Sequence, residues 1–262
     1  MNSSGITAVS FDGTKISYSL RGSAEKADVL TGGAWLRAPA EIADAIDKSS
    51  LRAVLMDHRG MGKSDKPSDI GAYSIPAWSK DIISVLDAVG AERAPIVAYS
   101  HTAMAAVELA RANPERVSAL VFIEPALFID KTMLSERAQL ALSGKSEEAV
   151  RHMLRYAAPS LHGQDLSRMV QQILGNYTSP VALAGEWLAR ANYNVDEATL
   201  KDINAPALII GGTRSNIRGD IMLAANALPN CSLWWIRGAT HLCVYERPSE
   251  VVNVVQMFLG SL

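Results

Sequence analysis

The chain has 262 residues, 48% hydrophobic and 20% charged, with a formal net charge of -2. That length suits one large α/β domain, or a core domain with an insertion. A balanced charge without any basic run argues against a nucleic-acid partner, and apolar runs as short as 119–123 and 207–210 argue against a membrane span. The polar N-terminal stretch lacks a basic segment followed by an apolar one, so no secretory leader is expected and the cytoplasm is the default location. Cys231 and Cys243 fit a reducing compartment. The five histidines stand at 58, 101, 152, 162 and 241, with no pair at helical ligand spacing, so no metal or other cofactor is expected.

Residues 6–11 and 14–20 alternate apolar and polar side chains around Asp12-Gly13, which predicts a β-hairpin with a tight two-residue turn. A short strand at 28–31 runs into Gly32-Gly33, and a helical pattern follows at 38–46. The segment 52–56 is an apolar strand ending at Asp57. Helical spacing at 75–89, a strand at 94–98, an alanine-rich helix at 102–112 and a strand at 117–123 continue the alternation. That rhythm predicts an α/β fold, a mostly parallel sheet with helices on both faces. Strands that are apolar throughout fit burial on both sides. From 128 to 200 the rhythm breaks: helical patterns appear without a convincing strand. A strand at 207–210, a helix at 220–227, a strand at 232–236 and a helix at 250–259 complete the chain. The expected organisation is a core of 1–127 and 201–262, with 128–200 inserted as a helical lid.

The segment Ile96-Val-Ala-Tyr-Ser100-His-Thr places a serine between an apolar strand and a helix. A strained turn there lifts the hydroxyl out of the sheet above a helix N-terminus. An ordinary helix cap has the same composition. Three further features set the context: Gly32-Gly33, Asp57-His-Arg-Gly-Met-Gly-Lys-Ser64, and Arg237-Gly-Ala-Thr-His241 with Glu246-Arg-Pro248 behind it.

Taken together, D-x-R-G-x-G-x-S, the serine turn and G-x-x-H-x-x-x-x-E-x-P resemble the α/β-hydrolase superfamily, and the likeness runs the length of the chain. The resemblance implies that Ser100 is the nucleophile and His241 the general base. It implies an oxyanion hole from the N–H of His101 and an N–H of the glycine turn, Gly33 or Ala34. The Asp57 and Arg59 segment is structural in such relatives.

Two departures stand out. The family prefers G-x-S-x-G, whereas here Ala98 and Thr102 flank the serine, so a less strained turn is expected. The usual acid position, after the strand that follows the lid, reads Ser215. The next carboxylate, Asp220, opens a helix and is expected to cap it. Glu124, at the end of the strand 117–123, is preferred as the acid. Some relatives, zearalenone lactonases among them, place it there, and a charge ending an apolar strand needs a partner. Trp35, beside the glycine turn, and Tyr156 and Trp187, in the insertion, are the candidate substrate-binding residues.

The expected activity is hydrolysis of an ester or lactone of a fairly apolar small molecule through an acyl-enzyme. Two other readings stay open: a cofactor-free dioxygenase working through a His–acid dyad, and a non-catalytic ligand-binding member of the fold. A small-molecule substrate is the expected partner, without nucleic acid or membrane; a homodimer is left open.

Overall fold

A computed structural model describes residues 6–21, 27–32 and 51–262, with the backbone alone at 27–32 and 51. The helix expected at 38–46 lies outside the described residues.

The hairpin pairs β1 (Ile6–Val9) with β2 (Lys15–Arg21), antiparallel, with Val9 opposite Lys15. Its turn differs from expectation. Ser10 N–H donates to the Thr14 carbonyl at 2.9 Å and Gly13 N–H to the Ser10 carbonyl at 3.0 Å, leaving a three-residue loop. Gly13, at φ 87, supplies the left-handed last position of that loop, where a two-residue primed turn would need two such residues.

The remaining strands are β3 (Ala27–Gly32), β4 (Leu51–Met56), β5 (Ala94–Tyr99), β6 (Val117–Ile123), β7 (Ala207–Gly212) and β8 (Cys231–Ile236). They form one sheet in the order β1-β2-β4-β3-β5-β6-β7-β8. β2 pairs antiparallel with β4, and every later pairing is parallel. The chain moves from β3 outward to β4, then crosses to β5 on the other side of β3. The sheet order therefore reverses between β3 and β5, and a crevice opens beyond the carboxyl ends of such strands.

Helices α1 (Ile75–Ala88) and α2 (Ala103–Ala112) flank β5, and α8 (Arg218–Ala227) follows β7. Ser74 caps α1 by accepting from Ala77 N–H, and Pro76 stands in the first turn, where its missing N–H costs nothing. Five helices stand between β6 and β7: α3 (Lys131–Leu142), α4 (Ser146–Ala157), α5 (Gly163–Asn176), α6 (Pro180–Ala191) and α7 (Glu197–Lys201). After β8 come α9 (Cys243–Glu246), which the sequence pattern did not announce, and α10 (Pro248–Leu259).

Alternation along the buried strands splits the core in two. Ile96, Ala98, Leu120, Phe122 and Ile209 pack with α1, α2 and α8. Val97, Tyr99, Val121, Ile123 and Ile210 pack with α10 and with Leu134, Ala138 and Trp187 of the helical segment. β5, β6 and β7 are buried on both faces, which is why they read as continuous apolar runs.

The Asp57 to Ser64 segment is a structural knot. Arg59, 1% exposed, bonds Asp81 through Nε and Nη2 at 2.7 Å each, and Asp12 through Nη1 at 2.7 Å. It thereby ties α1 and the hairpin loop to the end of β4. Burial works against the charge of Asp12, yet its bond to Arg59 holds the carboxyl at about 2. Gly62, at φ 49, leaves room for the Asp57 carboxylate, which a Cβ would overlap.

Candidate active site

The candidate site is assembled at the carboxyl ends of β5, β6 and β7, which are neighbours in the sheet. Tyr99 opposes Ile123, and Ile123 opposes Ile210, so the residues just beyond these pairs emerge side by side. Ser100 follows β5 directly and Glu124 follows β6 directly. They are the non-glycine residues with positive φ among those described, at 55 and 50. A left-handed residue without glycine costs about 1–3 kcal/mol and persists only where its surroundings impose it.

The expectation of a relaxed serine turn is therefore corrected. The strain sits on Ser100 itself, while Thr102 has an ordinary helical φ of -68. Thr102 also braces the turn. Its hydroxyl accepts from Tyr99 N–H at 3.0 Å and donates to the Tyr99 carbonyl at 2.9 Å. The Ser100 carbonyl in turn accepts from Ala126 N–H at 3.1 Å. Ser100 to Thr102 form a short 3-10 turn, and the helix proper begins at Ala103, one residue later than the sequence pattern suggested.

Ser100 Oγ lies 2.9 Å from His241 Nε2, and His241 Nδ1 lies 3.0 Å from Glu124 Oε2. A proton on Nδ1 shared with the carboxylate leaves Nε2 free to accept from the serine hydroxyl. Ser100 and His241 are each 5% exposed, and Glu124 is fully buried. The buried carboxylate is satisfied on both oxygens. Gly212 N–H donates to Oε1 at 2.5 Å, and Ser215 Oγ donates to Oε2 at 2.6 Å. This answers the cost of ending an apolar strand with a charge. Asp220 has no bond to His241 in this arrangement. It stands in the first turn of α8, whose cap is Ile217, so the expected capping role is corrected. A carboxylate in the first turn favours the helix through its dipole without capping it.

His241 is held from behind as well. Tyr99 Oη donates to the His241 carbonyl at 2.7 Å, and the two rings stack at 5.7 Å between centroids. Neither contact had a signal in the sequence beyond the position of Tyr99 before the serine. Gly212 packs so tightly against the 239–241 loop that a Cβ would overlap the Ala239 carbonyl. Cys243, fully buried at the start of α9, has its thiol pushed well up by burial.

A family model described as the alpha/beta hydrolase fold matches residues 30–248. The chain belongs to the alpha/beta hydrolase fold family. A relative from Caulobacter sp. (strain K31), named "Putative carbamate hydrolase RutD", is 26% identical over 168 residues, covering 62% of this chain and 62% of its own length. The chain thus matches less than two thirds of that relative. Among solved structures, a hydrolase from Pseudomonas aeruginosa PA01 superimposes with a TM-score of 0.87 at 23% identity, covering 99% of this chain and 100% of the other. The enol-lactonase from Burkholderia xenovorans LB400 gives 0.85 at 20%, covering 97% and 100%. These likenesses are of fold.

The other predicted site residues fall as follows. His101 is fully buried, edge-on to Trp78 at 6.0 Å. Burial, then the charge of Arg190, keeps its imidazole well below the usual histidine range. Gly33, Ala34 and Trp35 lie outside the described residues. Trp187 is fully buried on α6, within the packing of the helical segment. Tyr156, on α4, is partly buried, with the Arg137 guanidinium 5.8 Å from its ring centre. A cavity of about 460 Å³ bounded by Tyr73, Ser74, Leu188 and Tyr193 lies between the start of α1 and the end of α6, and neither Ser100, His241 nor Glu124 lines it. Arg137, Glu186 and Arg190 are buried charges of the helical segment that sequence reasoning passed over; the i,i+4 pair of Glu186 and Arg190 on α6 was the available signal. Among the described residues, no group of histidine, cysteine and carboxylate side chains could hold a metal, and no helix is long and apolar enough to cross a membrane.

Proposed function

We propose that the chain is a serine hydrolase cleaving an ester or lactone of a small organic molecule. The observation that carries this reading is the unbroken line from Ser100 Oγ through His241 to Glu124, with links of 2.9 and 3.0 Å. Ser100 attacks the substrate carbonyl while His241 Nε2 takes its proton. Glu124 fixes the ring and favours the imidazolium that forms. The oxyanion rests on the His101 N–H and on an N–H from Gly33 or Ala34. The imidazolium then protonates the leaving alcohol, and water activated by the same base releases the acyl group. In this reading the segment 128–200 serves as a lid whose Tyr156, with Trp35, bounds the substrate, while Trp187, fully buried in the packing of the segment, is corrected from a substrate-binding to a core residue. The positive φ of Ser100 supports it further, since an ordinary helix cap has no need of that cost.

The test is labelling with a fluorescent phosphonate alongside turnover of short 4-nitrophenyl esters. Native protein should label one to one, and Ser100→Ala should abolish labelling and lower turnover by roughly three orders of magnitude or more. Folded native protein that neither labels nor turns over any ester defeats the reading.

A further inference from the structure

The helical segment buries more positive charge than negative. On α3 the inward side chains recur at Leu134, Arg137, Ala138 and Ala141, so a guanidinium interrupts an apolar stripe. Arg137 is 1% exposed. Among the described residues its hydrogen-bond partner is Met133 Sδ, at 2.6 Å, a thioether and a weak acceptor. Among the described residues its Nε has no partner and no carboxylate pairs with it. The face of Tyr156 lies at 5.8 Å.

α6 packs along α3 and carries the nearest compensating charge. Glu186 bonds Arg190 at 2.7 Å, with side chains 3% and 4% exposed. Tyr177 Oη donates to the other oxygen of Glu186 at 3.4 Å. Arg190 Nε also lacks a partner among the described residues. One buried carboxylate thus faces two buried guanidinium groups, and it is engaged by Arg190 and Tyr177. Burial, then repulsion from Arg190, brings Arg137 down to about 10, so it still carries its charge at neutral pH. An unpaired buried cation is among the most expensive groups a fold can hold, and a fold that keeps one gains a place for an anion. Leu134 and Ala138, on either side of Arg137 in α3, share one packed cluster with Tyr99 and Leu242, the neighbours of Ser100 and His241, which sets this stretch of α3 on the side of the serine turn.

We propose that Arg137, backed by Arg190, receives a carboxylate carried by the substrate, so that the ester or lactone cleaved at Ser100 bears a free acid group. This rests on the hydrolase reading given above. The planar guanidinium matches a carboxylate in a two-pronged contact that a lysine cannot make. Binding supplies the missing negative charge, and the arginine pair then fixes how far along the acyl chain the scissile carbonyl falls.

The experiment compares 4-nitrophenyl hemiesters of succinate, glutarate and adipate with neutral 4-nitrophenyl esters of matching acyl length. Native protein should favour at least one hemiester tenfold or more in kcat/KM. Arg137→Met should lower that preference at least tenfold, mainly through KM, and Arg137→Lys should keep part of it. Melting curves establish that each variant is folded; if Arg137→Met does not fold, Arg137→Lys and Arg137→Gln supply the comparison. Native protein that cleaves neutral esters and labels at Ser100, yet shows no preference for any hemiester, overturns the carboxylate proposal and leaves the hydrolase reading intact. If Ser100 proves inert, calorimetric titration with succinate, glutarate and adipate decides the anion site alone. Binding that weakens tenfold in the folded variant supports it, and no binding to native protein overturns it.

Discussion

Ser215 donates a 2.6 Å hydrogen bond to the Glu124 oxygen that also faces His241. The position where many relatives carry an acid thus contacts the acid that came from a different strand. Ser215 and His241 meet at one carboxylate oxygen, and the two positions for the acid should be exchangeable. Glu124→Ala should lower kcat/KM by roughly three to four orders of magnitude, as loss of a triad carboxylate does. Adding Ser215→Asp to that variant should recover at least tenfold, because the new carboxylate stands within reach of the same Nδ1. Asp220→Ala should cost less than tenfold. Kinetics on one ester across these variants checks all three, and a larger loss at Asp220 than at Glu124 would reverse the assignment.

The left-handed backbone at Ser100 predicts an opposition between activity and stability. Glycine adopts φ 55 without steric cost, whereas alanine retains it. Both Ser100→Gly and Ser100→Ala should be inactive. Ser100→Gly should be the more stable of the two by about 1 kcal/mol in urea unfolding. Equal stabilities would mean that the turn relaxes once the hydroxyl is gone.

Tyr99 holds the histidine loop by one hydrogen bond and one ring face. Tyr99→Phe removes the hydroxyl and keeps the stack, so kcat should fall about fivefold, the worth of one ordinary hydrogen bond, with KM little changed. Tyr99→Ala loses both and should fall much further. A Tyr99→Phe variant with native kcat would reduce the tyrosine to packing.

His58 supplies a pH dependence of stability. It is 1% exposed, neither ring nitrogen has a partner among the described residues, and burial with the nearby Arg59 charge lowers it from 6.5 to about 4. The folded state keeps His58 neutral where the unfolded chain takes up a proton. Its contribution is therefore complete above about pH 6.5 and is lost as pH falls toward 4, amounting to about 3 kcal/mol. His58→Leu should flatten the stability curve across that window, measured by urea unfolding at pH 4 to 7.5. A variant whose curve still parallels the native one would place the titration elsewhere.

The strands of the central sheet were legible because burial on both faces leaves an apolar run with clear ends, as at Val117–Ile123, where expectation and structure coincide. The serine turn was legible for a similar reason: a strand, a serine and an alanine-rich helix follow without a gap. What stayed hidden was set by tertiary contact. The three-residue hairpin loop depends on where β2 begins to pair. The strain at Ser100 goes with the clamp between Tyr99 and Thr102, a contact that the flanking residues Ala98 and Thr102 do not announce, so they pointed to a less strained turn. Arg137 looks like any surface arginine until α3 is set against α6, because a helical stripe that admits one guanidinium has the same spacing as one that rejects it.

The chain leaves the sheet just after Glu124 and re-enters it at Ala207, opposite Leu120; β7 then ends at Gly212, whose N–H closes on the Glu124 carboxylate. The parallel register of Leu120 with Ala207 and of Ile123 with Ile210 holds the two strands side by side, so the exit and the re-entry of the segment lie at opposite ends of one strand pair. The segment is therefore a cassette. A graft that exchanges its helices has natural seams on either side of residues 131–201 and is expected to leave the atoms around His241 in place.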